Sequence, residues 1–414
     1  MKIIHTSDWH LGHTLYGYDR TEEQRYMLGQ IESLAVEHRP DALLVSGDVF
    51  HTTSPSATVQ RMFVEAMMRL HAAVPEMQVV VTAGNHDSAT RHEVFRQPWA
   101  TLNIHTIGSV ERGHETDCIV ELPGKGFIVA VPYVNEHYLN DDFYPSLLAA
   151  VGERNTASLP VVLMAHATVT SDWYAGAPPA TPTSNWYAGA PPANPTSDWY
   201  AGAPPATPTS DLRPPTSDLS VGGIDASPLS FFGEGYDYLA LGHIHHAQTL
   251  QGSDGRARYC GTPLPVSFDE AGEHSVTLVE IDNHGDTPKL TVLPIDNPHP
   301  LQTLPEEGYA TWDEALRLLQ QVDADNAAYL RLNVEVDDFL PVGANAEAAQ
   351  TVKDKACRFC FINARRRERE RTQSVGLTVS EFRRESPLSL VQRYAADKGM
   401  PFDDELAELF NSIS

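Results

Sequence analysis

Six apolar, β-rich runs set the limits on what this chain can fold into: KIIHTSD, DALLVSGD, QVVVTAGN, FIVAVPYV, PVVLMAHA and DYLALGHI. Continuous runs of this kind suit strands buried on both faces. Amphipathic helical stretches separate the early runs. One starts at Ser54–Pro55 and carries Val59, Phe63, Ala66, Met67 and Leu70 at helical spacing. Repeated strand–helix units predict an α/β fold. At 414 residues the chain is too long for one ordinary core, since domains usually run about 100–200 residues. Its apolar runs fall well short of the roughly 20 residues of a membrane span. Only Lys2 and two isoleucines stand between Met1 and His5, so no secretory leader is expected and the chain is expected in the cytoplasm.

The runs end in polar residues of one chemical kind. Asp8 and His10 follow the first, Gly47–Asp48 the second, and Gly84–Asn85–His86–Asp87 the third. His166 closes a later run, and Gly242–His243–Ile244–His245 follows the last. The carboxyl ends of strands in open α/β sheets are where ligands bind. Residues i and i+2 share a strand face, which predicts Asp8 with His10, and His243 with His245, turned to one side of a common mouth. Carboxylate, imidazole and amide oxygen without thiolate form a donor set for Mn²⁺, Fe²⁺ or Zn²⁺. Two adjacent ions need a bridging carboxylate, and Asp48 is the candidate. The glycines before Asp48, Asn85 and His243 are expected to turn the backbone sharply. A lone histidine is more often structural than a ligand; five such motifs in order, each after a strand, point to a metal site.

The order D-x-H, GD, GNHD, H, GHxH resembles the calcineurin-like metallophosphoesterases. The resemblance implies a β-sandwich flanked by helices and two divalent cations. One would be held by Asp8, His10, Asp48 and His245, the other by Asp48, Asn85, His166 and His243. It implies hydrolysis of a phosphodiester, with His86 as the acid at the leaving oxygen. The flanks HTSDWHLG, GDVFHTTSPS, AGNHDS, YLALGHIHHAQ and YCGTPLPVSFDE are similar to the Mre-eleven/SbcD family of DNA-repair nucleases, from residue 1 to about 295 and more loosely beyond. That similarity implies Mn²⁺-dependent exonuclease and endonuclease action on duplex ends and hairpins. It also implies a small α+β capping domain that touches DNA at 296–372, and a helical tail at 373–414 docked on an SbcC-like coiled-coil ATPase. The assembly would hold a homodimer of this chain within a heterotetramer, associated with the nucleoid during repair. His51 matches a histidine that some members use beside the active site. Protein phosphatases of the superfamily carry an Arg–Gly pair shortly after the second motif, where Val49 to Thr52 stand here. The rival classes are a small-molecule or cyclic-nucleotide phosphodiesterase and a non-catalytic DNA-repair scaffold. The capping domain and tail speak against the first, and the complete ligand set with His86 against the second.

In the second domain, AYLRLNVEV, an Ala-rich helix at 344–356 and CRFCFINA predict β-α-β. The tail from Thr378 reads as two helices, the last with Leu406, Leu409, Phe410 and Ile413 on a stripe that must dock on its own chain or on a partner. A formal net charge of −26 excludes a simple polyanion binder, because phosphate binding is driven by Lys and Arg. Residues 353–371 hold eight Lys/Arg against three Asp/Glu, either a DNA contact or a solvated face of alternating charges. Cys357 and Cys360 form a CxxC with no second pair, which reads as two half-buried thiols in a strand. Between His166 and His243 a 13-residue unit recurs as TSDWYAGAPPATP, TSNWYAGAPPANP and TSDWYAGAPPATP from Thr170, Thr183 and Thr196. A Pro/Gly-rich loop insertion over 170–215 is expected, looped out from an intact site. Its Trp173–Tyr174, Trp186–Tyr187 and Trp199–Tyr200 pairs are either stacking platforms for bases or products of expansion in a tolerant loop.

Overall fold

The computed structural model describes residues 1–134, 139–170, 220–221, 224–270, 272–367 and 386–397, with isolated positions beyond. The repeat block, and Leu409 and Ile413 of the tail stripe, lie outside the described residues. The chain begins β1 (Lys2–Thr6), α1 (Thr21–His38), β2 (Ala42–Ser46), α2 (Ala57–Ala73), β3 (Gln78–Thr82), α3 (Ala89–Ala100) and β4 (Ile104–Ile107). It continues through β5 (Ile119–Leu122), β6 (Gly126–Ala130), α4 (Phe143–Arg154), β7 (Val161–His166) and β8 (Val169–Thr170). Then come β9 (Ser220–Val221), β10 (Ile224–Asp225), β11 (Ser227–Pro228), β12 (Tyr238–Gly242), β13 (Gln248–Thr249) and β14 (Ala257–Tyr259). The hairpin β15 (His274–Glu280) and β16 (Lys289–Ile295) precedes β17 (Leu301–Leu304), α5 (Trp312–Gln321), β18 (Tyr329–Val336), α6 (Ala344–Thr351), β19 (Arg358–Arg366) and α7 (Pro387–Asp397).

Two six-stranded mixed sheets lie face to face. One has the order β16-β15-β1-β2-β3-β4 and the other β13-β14-β12-β7-β6-β5. β1 to β4 run parallel, as do β14, β12, β7 and β6. Alternate residues of the first sheet's strands enter different cores. Ile3, Leu44 and Val80 pack with Val162, Met164, Leu239 and Leu241 of the second sheet. Ile4, Leu43, Val45, Val79 and Val81 pack with Met27 and Ile31 of α1 and Phe63 and Met67 of α2. Burial on both faces explains why these runs lack polar alternation. The expected α/β sandwich flanked by helices is the observed architecture. α2 begins at Ala57 rather than at Ser54–Pro55. Ser56 caps it, its Oγ accepting from Val59 N at 3.3 Å, as the open first turn of a helix requires.

The sheets meet where their parallel strands end. Ser46 Oγ, on the last residue of β2, donates to Ala240 O of β12 at 3.2 Å. This brings the carboxyl ends of β1, β2 and β3 against those of β7 and β12. Val169 and Thr170 pair with Ser227 and Pro228, so the chain leaves toward the repeats and returns at adjacent points.

β17, β18 and β19 form a separate parallel sheet carrying α5 and α6. α6 stops at Thr351, short of the expected 356, because the chain must turn back to enter β19. Within that turn Lys355 Nζ donates to the carbonyls of Leu319, Gln320 and Val322 at the end of α5. Cys357 precedes β19 and packs with Leu330 and Leu332, whereas Cys360 packs with the cluster of Leu15, Phe268 and Tyr329. The two thiols belong to different cores and share no site. Along β19 and just beyond it, Arg365 and Arg367 pair with Glu335 at 3.0 Å, and Arg367 reaches Asp337 at 3.3 Å. Arg365 and Arg367 are thus neutralised by carboxylates, whereas Arg366 donates to the Asp338 carbonyl at 3.1 Å and lies over the Phe339 ring.

This small sheet is fastened to the sandwich by a buried polar knot. Glu23 of α1, 2% exposed, accepts from Tyr329 Oη at 2.6 Å, Arg358 Nη1 at 2.9 Å and Arg20 Nε at 2.6 Å. Tyr16 stacks on Phe361 with ring centroids 4.6 Å apart. Glu23→Ala strips Arg20, itself 3% exposed, of its counter-charge. It should cost about 3 kcal/mol, read as a lower urea midpoint, with earlier proteolytic cleavage between the sandwich and the small sheet.

Candidate metal centre

The loop after β1 runs beside the loop after β2, continuing their pairing past the strand ends. Asp8 N donates to Gly47 O, His10 N to Asp48 O and Leu11 N to Val49 O, at 2.9–3.0 Å. Asp8, His10, Asp48 and His243 all have left-handed backbone conformations, with φ of 51°, 43°, 50° and 93°. Each such residue costs of order 1–3 kcal/mol and persists only where its surroundings hold it. Convergence of these side chains is thus the work of strained turns beyond the strands. The expected sharing of a strand face by residues i and i+2 does not apply here. Two of the three glycines also differ from expectation. Only Gly47 has a positive φ, +85°. Gly84 and Gly242 are there for room: a Cβ at 84 would fall on the Asp48 carboxylate, and one at 242 on Ser46 O.

All seven expected donors meet in one place. Asp48 Oδ1 accepts from His86 N at 2.8 Å. Its Oδ2 faces His10 Nε2 at 3.7 Å on one side and His166 Nε2 at 3.4 Å on the other. Around His10, Asp8 and His245 offer further donor atoms within 4.8 Å of one another, and His245 Nε2 lies 3.2 Å from His10 Nε2. Around His166, Asn85 Oδ1 sits 3.0 Å from His166 Nε2 and 3.1 Å from His243 Nδ1. Asp8 is held by Ser7 Oγ at 2.6 Å and by His243 N at 3.1 Å. Asp8, His10, Asp48 and His166 are at most 2% exposed. Asn85 is exposed, and His243 and His245 are half-buried.

The tautomers follow from the partners. His166 Nδ1 lies 2.9 Å from the Ser46 carbonyl, which can only accept. His166 Nδ1 therefore carries hydrogen, and Nε2 faces two oxygens, Asp48 Oδ2 and Asn85 Oδ1. His245 Nδ1 likewise donates to Glu270 at 2.8 Å, leaving its Nε2 turned to His10. Acceptors facing acceptors repel unless a proton or a cation lies between them, so the donor set fits divalent cations on both sides of Asp48. The charges agree. Burial disfavours ionisation of Asp48, but the His166 imidazole overrides it and holds the carboxylate far below its usual range. Burial would lower His166 as well, yet Asp48 lifts it to about 9. Burial raises Asp8 and depresses His10, and it takes His243 down to about 4.

His86 and His51 stand beside this set. His86 is half-buried, and its Nδ1 donates to the His51 carbonyl at 2.9 Å. Its ring stacks on that of His51, with centroids 5.6 Å apart, and lies 5.0 Å from that of His10. Burial lowers His51 below its usual value. Sequence reasoning missed two residues that hold the loops. Asp87 accepts from Gly84 N, Val49 N and Phe50 N at 2.9–3.0 Å. It thereby ties the Asn85–His86 loop to the Asp48 loop; its only signal was its place in GNHD. Glu270, which orients His245, also accepts from Val266 N at 3.0 Å; its signal was the SFDE flank.

Two outcomes follow from this geometry. Gly84→Ala pushes a methyl group into the Asp48 carboxylate, and overpacking of this kind costs about 1–3 kcal/mol. Mn²⁺ should raise the melting temperature of the wild type and not that of the variant. The second concerns pH. In the ion-free protein the raised pKa of His166 means that its pairing with Asp48 contributes fully below the unfolded value of 6.5 and is lost as pH climbs through about 9. A cation must displace that proton, so Mn²⁺ affinity measured by calorimetry should rise about tenfold per pH unit from neutrality and level off near pH 9.

Comparison with known proteins agrees with this geometry. The family described as calcineurin-like phosphoesterase matches residues 1–247. The D chain of the nuclease SbcCD from Rhodobacter capsulatus is 30% identical over 330 residues, covering 78% of this chain and 76% of the relative. Its namesake from Escherichia coli K12 is 27% identical over 362 residues, covering 82% and 79%. That of Bacillus subtilis strain 168 is 31% identical over 290 residues, covering 68% and 66%. The family match spans more than half of the chain and ends just past His245, and the relatives align along most of their length. This chain belongs to the calcineurin-like phosphoesterases, in the SbcD branch of nuclease subunits.

Proposed function

We propose that this chain is the nuclease subunit of a DNA-repair complex, hydrolysing phosphodiester bonds at duplex ends and hairpins with two Mn²⁺ ions. The observation that carries the reading is the double-sided exposure of Asp48 Oδ2 to His10 and His166. In this reading Asp8, His10, Asp48 and His245 hold one ion, and Asp48, Asn85, His166 and His243 hold the other. When bound, the ions would supply Lewis acidity toward the phosphate oxygens and lower the pKa of a coordinated water.

The protein's own groups do the rest. Asp87 and Glu270 hold the donors in place before substrate arrives, so little reorganisation is needed at the reacting phosphate. His86 Nδ1 is committed to the His51 carbonyl, which leaves Nε2 to hold a proton for the departing oxygen. His51 contributes its carbonyl as the orienting group and its ring as the support on which His86 stacks. Residues 296–372 serve as the cap over the site and 373–414 as the docking tail for an SbcC-like ATPase, in an assembly with two copies of this chain. The relatives' membership of SbcCD supports that partnership. So does the net charge of −26, with which the chain alone has little grip on DNA. No helix among the described residues is long and apolar enough to cross a membrane.

A nuclease assay on blunt duplex DNA with Mn²⁺, with and without the ATPase and ATP, tests this. His86→Gln should cut cleavage by about 10²–10⁴-fold while calorimetric Mn²⁺ affinity stays within twofold or so. Cleavage that persists in excess chelator, or that is equally strong without the ATPase, would overturn the assignment.

A further inference from the structure

Tyr133 stands at the mouth of the centre without a part in holding it. It follows β6, and its backbone is pinned on both sides of the site. Tyr133 N donates to Ala83 O at 2.7 Å, next to Gly84 and Asn85, and Val131 N donates to Met164 O at 3.1 Å, two residues before His166. The ring lies 6.1 Å from that of His166, at 83° to it. His166 is buried, yet Tyr133 is 42% exposed. The phenol makes no hydrogen bond to the described residues. A single exposed aromatic on a surface is ordinary. This one has its backbone pinned beside the Asn85–His166–His243 side of the centre, and the opposite side is walled by imidazoles, with His86 stacked on His51. The mouth therefore has an aromatic ring on the His166 side of Asp48 and the His86 ring on the His10 side.

Recognition of phosphate alone has no use for such a plate, whereas a nucleotide brings a flat base tethered to the phosphate. Base–aromatic stacking tolerates any sequence, because every base has a π-face. The ring's backbone is already fixed, so little freedom is lost when a base settles on it. We propose that Tyr133 is a stacking platform for the base of the nucleotide on the His166 side of the scissile phosphate. It makes the centre prefer nucleoside phosphodiesters over plain alkyl ones. This rests on the phosphodiesterase reading above.

The test compares wild type, Tyr133→Ala and Tyr133→Phe on two esters with one leaving group, thymidine 5′-(p-nitrophenyl phosphate) and methyl p-nitrophenyl phosphate. The ratio of kcat/KM for the thymidine ester to that for the methyl ester should fall about tenfold in the alanine variant, mostly through KM. The phenylalanine variant should restore it. A short single strand carrying 2-aminopurine should lose fluorescence on binding to wild type and to the phenylalanine variant, and keep it with the alanine variant. If the methyl ester is hydrolysed and the ratio is the same in all three proteins, the platform falls and the phosphodiesterase reading stands. If neither ester is hydrolysed but the quenching pattern holds, the platform stands and the phosphodiesterase reading falls.

Discussion

The Asp48 carboxylate is the constraint on which the rest of the centre depends. One oxygen is taken by the His86 amide, so the group cannot swing, and the other is left between His10 and His166. This leaves no freedom to its neighbours. Residue 84 must lack a side chain because the carboxylate fills that space. Residue 47 must lack one because the His166 ring lies against it, and it must also adopt a positive φ. Asp87 then locks the two loops together through three backbone amides. A change at any of these positions reaches the cations through Asp48, whatever its own chemistry.

Such a cluster works against folding. It gathers buried acceptors that face one another and backbones in sparsely populated conformations, at a cost of order 1–3 kcal/mol for each strained residue. The cost is offset away from the site, in two cores that share the strands of the first sheet. Ile3 and Ile4 illustrate this: adjacent in sequence, they enter different cores, and both are fully buried. In this chain the five loops come from two sheets. β1, β2 and β3 supply Asp8, His10, Asp48 and Asn85, while β7 and β12 supply His166, His243 and His245. The contact of Ser46 with Ala240 is where the two halves are brought into register.

Much of this was legible because the donors sit next to strong local signals. Asp8, Asp48, Asn85, His166 and His243 each close or follow a buried strand, and buried parallel strands announce themselves as unbroken apolar runs. What stayed hidden acts through the backbone or across long separations. Nothing near Gly84 tells a reader that its missing side chain makes room for a carboxylate 36 positions earlier. Glu270 meets His245 only after the chain has passed through β13 and β14. The left-handed turns at Asp8 and His10 were also out of reach, because alternation along a strand predicts nothing once the strand has ended. The ends of α2 and α6 depart from expectation for a similar reason. They are set by Ser56 and by the turn holding Lys355, and helical periodicity carries no information about either.

The attachments of the small sheet obey the same logic. It touches the sandwich through Glu23, and the next residue, Gln24, donates to the carbonyls of His10 and His13 and accepts from Gly12 N. It touches again through Asp269, which pairs with Arg331 at 3.3 Å, and the next residue, Glu270, holds His245. At these two of its attachments one residue grips the small sheet and its neighbour grips a loop of the centre. Adjacent residues on one stretch of backbone are positioned together, so the small sheet and the loops carrying His10 and His245 share their supports. Those two imidazoles lie on the same side of Asp48. His243 stands two residues before His245 on the same loop and donates its N–H to Asp8, so these supports reach both halves of the centre.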